Sequence, residues 1–201
     1  MKLSSHFRRA AVLGLSLLLA AQLGVGACAA SAFDAAYYAE TNPDVAAACG
    51  TDEASLLRHY LSSGQAEGRK PSARGKAGDS LKLTNAQIAL VWSPVPLKDL
   101  ANYKSLKKKM TDEQYQAAYQ EAVNLVLPVA LSSREEQLTY IAAALRERFD
   151  SGMSYSMDAD HYNDPYGYFV LGSASCAGCT RATGLCLNVL GIPYEHVNEN
   201  Q

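Results

Sequence analysis

The chain has 201 residues, of which 48% are hydrophobic and 19% charged, and a formal net charge of -2. This length allows one moderate domain plus a small module, with enough apolar material for a core. The charge balance excludes a basic nucleic-acid-binding face. The only basic run, Lys107-Lys108-Lys109, reads as a solvated helix end.

Residues 1–32 read as a secretory signal peptide. Lys2, Arg8 and Arg9 form a positive start, Ala10 to Leu23 an apolar stretch, and Ala30-Ser31-Ala32 a small-residue cleavage site before Phe33. A competing reading takes Val25-Gly26-Ala27-Cys28 as a lipoprotein site that would anchor Cys28 to a membrane. The apolar stretch is short against the roughly 20 residues a membrane span needs, and no second one follows. The expectation is a secreted or cell-surface protein with no transmembrane segment after signal removal.

Residues 33–72 read as a helical module. Phe33 to Tyr38 open a short helix, Asn42-Pro43-Asp44 restart one with proline in its first turn, and Thr51 or Asp52 caps a third. Leu56, Leu57, Tyr60 and Leu61 lie on one face of that third helix, and Gly64 ends it. The pattern FDxxYYxxxNPDVAxA, with HYxxxGxxEGRxPS behind it, resembles a short module common in secreted bacterial proteins. Cell-wall or surface association is one role that this resemblance suggests. Residues 73–82, small, polar and glycine-containing, read as a linker.

From residue 83 onward the pattern is helical. Thr84 caps a helix towards Trp92, Pro94 and Pro96 interrupt, Thr111-Asp-Glu-Gln114 is a capping box, and Ser132 and Ser133, with Glu135 and Glu136 three residues later, give a second. Leu138, Ile141, Ala142, Leu145 and Phe149 make a core-facing stripe. Ser151 to Gly167 reads as loop and Tyr168 to Leu171 as a strand or extended lead-in. Asp158 to Asp164 hints at a calcium loop but lacks the glycine and glutamate of an EF-hand, so turn chemistry accounts for it.

The chemistry concentrates at Cys176. Small residues, Gly172-Ser-Ala-Ser175, lead into it, a helix follows, Gly191 stops that helix, and Tyr194 to Val197 is a strand candidate. A thiol at a helix N-terminus lies beside unpaired backbone N–H groups and the positive end of the macrodipole, an arrangement that suits a thiolate nucleophile. Cys176, Gly178, Arg181, Ala182, Leu187, Leu190, Gly191 and Ile192 together closely resemble the nucleophile segment of the transglutaminase-like, papain-related superfamily.

That resemblance implies an α+β thiol-hydrolase core over residues 83–201, with Cys176 as the catalytic nucleophile. It also implies a histidine and an aspartate on strands after the cysteine helix, and the sequence ends at Gln201 before either, so the core is expected to be truncated. The substrate would be a protein or peptide, attacked at a peptide or amide bond through a Cys acyl-thioester. Water as acceptor makes a protease or amidase and an amine makes a crosslinker; the resemblance tilts towards hydrolysis. No cofactor and no metal are implied.

His196 is a poor base. A helix from Cys176 to Leu190 runs about 21 Å, and a returning strand recovers only about 3.3 Å per residue. His161, in the preceding loop, is the other histidine that could approach Cys176, while His59 belongs to the module. Two further readings stay open. Cys176-Ala-Gly-Cys179 is a C-x-x-C pair, so a thiol-disulfide redox protein is the sharpest rival, although few residues follow for a thioredoxin-like fold. A zinc site through Cys176, Cys179 and Cys186 lacks a second ligand pair. Cys179 and Cys186 share a helix face and read as small core residues. A degenerate, non-catalytic surface-binding protein is the other alternative.

Overall fold

Short polar side chains set the helix starts. The computed structural model describes residues 31–195, so residues 1–30 of the signal peptide expected over 1–32, Cys28 among them, and His196 and Val197 lie outside the described residues. Helix α1 (Ala35–Thr41) is capped by the Asp34 carboxylate, which accepts from Tyr37 N–H at 3.0 Å. Helix α2 (Pro43–Cys49) begins with proline, and α3 (Glu53–His59) is capped by Asp52 and runs into a π-helical turn at Tyr60–Gly64. Phe33, Tyr38, Val45, Leu56, Leu57 and Tyr60 form a small core of their own. A Cβ at Gly64 would collide with the Tyr38 hydroxyl, so only glycine lets the turn close over that ring.

The 73–82 segment folds back on these helices. Gly78 N–H donates to Arg69 O at 2.9 Å, and the Tyr60 hydroxyl donates to Asp79 O at 2.5 Å. The Asp79 carboxylate accepts from Ser31 Oγ at 2.6 Å and from Lys76 N–H at 2.7 Å. Ser31, which cleavage after Ala32 would remove, thus takes part in this packing. Helix α4 (Asn85–Val91) follows, closed by a capping box from Thr84 and Gln87.

A larger core is built by α5 (Tyr103–Lys107), α6 (Asp112–Val126), α7 (Arg134–Asp150) and α8 (Cys176–Val189). Lys107 ends α5 and pairs with Asp112. Helix α6 contributes Tyr115, Ala118, Ala122 and Val126, and α8 contributes Ala182, Leu185, Cys186 and Val189. Strands β1 (Ser154–Tyr155) and β2 (Ser173–Ala174) pair in parallel, Ser154 with Ser173 and Tyr155 with Ala174. The described residues are therefore helix-rich with one small two-stranded sheet, compatible with an α+β class.

Two local expectations change. Tyr168 to Leu171 is not extended: Gly167–Leu171 forms a π-helical turn in which Tyr168 and Phe169 are buried. A run of four apolar residues carries no period that separates strand from helix. Tyr194 and Glu195 are unpaired backbone rather than strand, and both described strands precede α8. Helix α8 ends in a Schellman motif: Gly191, at φ 74°, sends its N–H to Asn188 O, and Ile192 N–H bonds Leu187 O at 2.9 Å. The chain then turns back and lays the Tyr194 ring against Gly184. No helix among the described residues is long and apolar enough to cross a membrane.

Candidate functional site

Cys176 is exposed and is the first residue of the 14-residue α8. The sheet aims it there, because β2 leads through Ser175 directly into the helix. Ser175 occupies the cap position with extended backbone, yet its side chain makes no capping bond. Its hydroxyl is buried and has no hydrogen-bond partner among the described residues. Thr84, Thr111 and Ser133 all close their helices with capping boxes. As a result, no acceptor among the described residues meets the N–H groups of Cys176, Ala177 and Gly178.

This difference is measurable. Ser133→Ala should lose about 1 kcal/mol with its cap, whereas Ser175→Ala removes a buried hydroxyl that bonds nothing and should leave stability unchanged or raised. Urea denaturation of both variants checks this; a loss at Ser175 as large as at Ser133 would show that its hydroxyl does cap α8.

The other thiols differ from Cys176 in setting. Cys186 is fully buried, and burial pushes its pKa up against the opposing effect of Arg148. Cys179 is partly buried, and burial, followed by the charge of Cys176, raises its pKa. Cys49 is exposed, but it is the last residue of α2, at the negative end of a helix. Among the described residues, no three His, Cys, Asp or Glu side chains converge as metal ligands.

A loop frames the start of α8. Ser175 N–H donates to Tyr162 O at 2.7 Å, and Arg181 Nη1 donates to Asn163 O at 2.8 Å. Gly178 lets the helix approach: a Cβ there would lie 2.5 Å from Tyr162 O and 2.9 Å from Ala174 Cβ. Within this loop His161 adopts a left-handed backbone, φ 61°. Its Nδ1 is 2.7 Å from Asp164 Oδ2, and its Nε2 is 3.0 Å from Gln114 Nε2.

The proton positions in this network follow from its ends. Gln114 Oε1 accepts from Thr111 N–H at 2.8 Å in the capping box, so its amide nitrogen must be what faces His161. An NH2 group can only donate, so His161 Nε2 is the acceptor and Nδ1 carries the proton. That proton is donated to Asp164, whose other oxygen accepts from Tyr166 N–H at 3.0 Å and Gly167 N–H at 3.2 Å. Asp164 is 1% exposed, and three donors satisfy its carboxylate.

His161 is therefore brought close to the start of α8 through its neighbour Tyr162, but both ring nitrogens are engaged elsewhere and no hydrogen bond joins it to Cys176. Gln114 and Asp164 are the residues that sequence reasoning left out of the site. The Asp164 spacing three residues after His161 was the only local signal, and turn chemistry explained it equally well. Comparisons of the chain with protein-family models, with curated proteins and with solved structures gave no match.

Proposed function

We propose that this chain carries the nucleophile of an exported transglutaminase-like thiol enzyme that hydrolyses peptide or amide bonds. The observation that carries the proposal is the open first turn of α8: an exposed Cys176 beside three N–H groups that no side chain among the described residues caps. In this reading Cys176 Sγ attacks the carbonyl carbon of a peptide bond or carboxamide. The carbonyl oxygen, negative in the tetrahedral intermediate, accepts from the free first-turn N–H groups. The C–N bond breaks, the amine leaves with a proton, and water hydrolyses the acyl-thioester. The proton acceptor is the histidine, oriented by an aspartate, that the resemblance assigns to strands after the cysteine helix. His161 is not given that role, because Gln114 occupies its Nε2. Export and a surface-associating role for residues 33–72 belong to the same reading.

The test avoids dependence on the triad base. An activated aryl ester has a leaving group that needs no protonation, so it can acylate an exposed thiol without a histidine. Mass mapping of the folded chain after a brief exposure should place the acyl group on the peptide Phe149–Arg181, at Cys176, and Cys176→Ala should abolish it. Iodoacetamide should likewise reach Cys176 before Cys179, Cys186 and Cys49. Cys176 and Cys49 sit at opposite helix ends, a contrast of roughly 1 kcal/mol or about fivefold in rate. Equal labelling of Cys49, Cys176, Cys179 and Cys186, or acylation led by Cys49, would remove the basis of the proposal.

A further inference from the structure

The second thiol in the first turn of α8 has no part in acyl transfer. Cys179 lies three residues after Cys176, so the two side chains are about 60° apart around the helix axis and one turn apart along it. Cys176 is exposed and Cys179 partly buried. Residues three apart on an α-helix have Cβ atoms about 5–6 Å apart, while a disulfide needs roughly 3.5–4.5 Å. Tightening one turn to 3₁₀ geometry closes that gap, since it eclipses residues i and i+3.

Three features make this turn the place where such tightening costs little. Ser175 makes no capping bond that would have to break. The Cys179 N–H, which now donates to Ser175 O at 3.0 Å, can pass to Cys176 O, the i to i+3 acceptor. Gly178 sits between the thiols and is the residue type most tolerant of altered backbone angles. Cys186 offers no competing partner, because it is buried seven residues further along.

We propose that Cys176 and Cys179 form a reversible disulfide that caps the nucleophile, a thiol modification site written into the first turn of α8. The oxidant is a low-molecular-weight disulfide. The Cys176 thiolate attacks one sulfur of RS–SR, an S–S bond forms to Cys176, and RS⁻ leaves. Cys179, after losing its proton to solvent, attacks Cys176 Sγ and expels the second RS⁻. The protein loses two electrons and two protons, and RS–SR becomes two RSH. Burial and the neighbouring sulfur hold the Cys179 pKa above its ordinary value, so the second step should quicken as pH rises. The disulfide itself does not depend on the enzyme reading; its consequence, arrest of acyl transfer, does.

The experiment exposes the folded full chain to oxidised glutathione, quenches with acid, alkylates, and maps peptides without reduction. Cys176 and Cys179 fall in the same tryptic peptide, Phe149–Arg181. The expected product is that peptide, two hydrogens lighter and unalkylated until reduced, from wild type and from Cys49→Ala. Cys179→Ser should stop at the Cys176–glutathione mixed disulfide, with near-UV circular dichroism confirming that the variant is folded; Cys179→Ala serves if it is not. A mixed disulfide that persists at Cys176 in wild type, a link from Cys176 to any cysteine other than Cys179, or Cys176 and Cys179 both left as free thiols would each overturn the proposal. A chain that forms the bond but is never acylated at Cys176 keeps this inference and loses the enzyme reading; acylation without the bond does the reverse.

Discussion

Replacing Asp164 with alanine should destabilise the folded chain by about 3–5 kcal/mol, the range expected when one partner of a buried charged network is removed. The carboxylate is 1% exposed and accepts from His161 Nδ1–H, Tyr166 N–H and Gly167 N–H. Alanine leaves all three donors without this acceptor. Asp164→Asn separates charge from geometry. Its oxygen can still serve the two backbone donors, but its NH2 then faces His161 Nδ1, which must give up its proton to accept. The proton moves to Nε2 and points at the Gln114 amide, so Gln114 must rotate and abandon Thr111 N–H. A smaller loss, about 1–3 kcal/mol, follows from that one broken bond and the lost charge. Imidazole 15N NMR distinguishes the states: Nδ1–H in wild type and Nε2–H in Asp164→Asn. An Nε2–H tautomer in wild type, or a loss under about 1 kcal/mol in Asp164→Ala, would contradict the network.

That network also marks where sequence reasoning stops. Helix starts were legible because they are local: Thr84, Thr111 and Ser133 each stand three residues before a Gln or Glu, and each forms the reciprocal cap. Gly191 and Ile192 were equally readable as a helix stop, since left-handed backbone at that position is a property of glycine. The candidate nucleophile was legible for the same reason, as a cysteine in the first position of a helix. The partners of His161 were not. Gln114 is 47 residues away, and its link to the loop exists only once α6 and α8 pack together. The parallel pairing of Ser154 with Ser173 is also long-range, and two-residue strands carry no alternation to detect. Gly167–Leu171 defeated the pattern from the other side, because its apolar run fits a strand and a buried helical turn alike.

The open cap at Ser175 was invisible for a subtler reason: serine is the residue a capping rule expects there, and only packing turns its hydroxyl away. The loop approaches α8 closely at Gly178, within the same turn, and that approach can be tested directly. On an isolated helix Gly→Ala would gain about 1 kcal/mol. Here the added Cβ would stand 2.5 Å from Tyr162 O and 2.9 Å from Ala174 Cβ. Both obstacles belong to backbone or to a side chain with no freedom to swing away, and Tyr162 O is already held by Ser175 N–H. The clash should therefore win, with Gly178→Ala losing about 3 kcal/mol as the first turn of α8 is pushed off the loop. Gly184→Ala provides the contrast within the same helix. Its Cβ meets the ring of Tyr194, a partly exposed side chain beyond the helix end that can move aside, so the helix gain and the lost ring contact should nearly cancel. Chemical denaturation should show the large loss at Gly178 and little change at Gly184. Iodoacetamide should then lose its preference for Cys176 over Cys49 only in Gly178→Ala. Equal stability of the two variants, or an unchanged labelling preference in Gly178→Ala, would mean that the loop contact does not shape the thiol site.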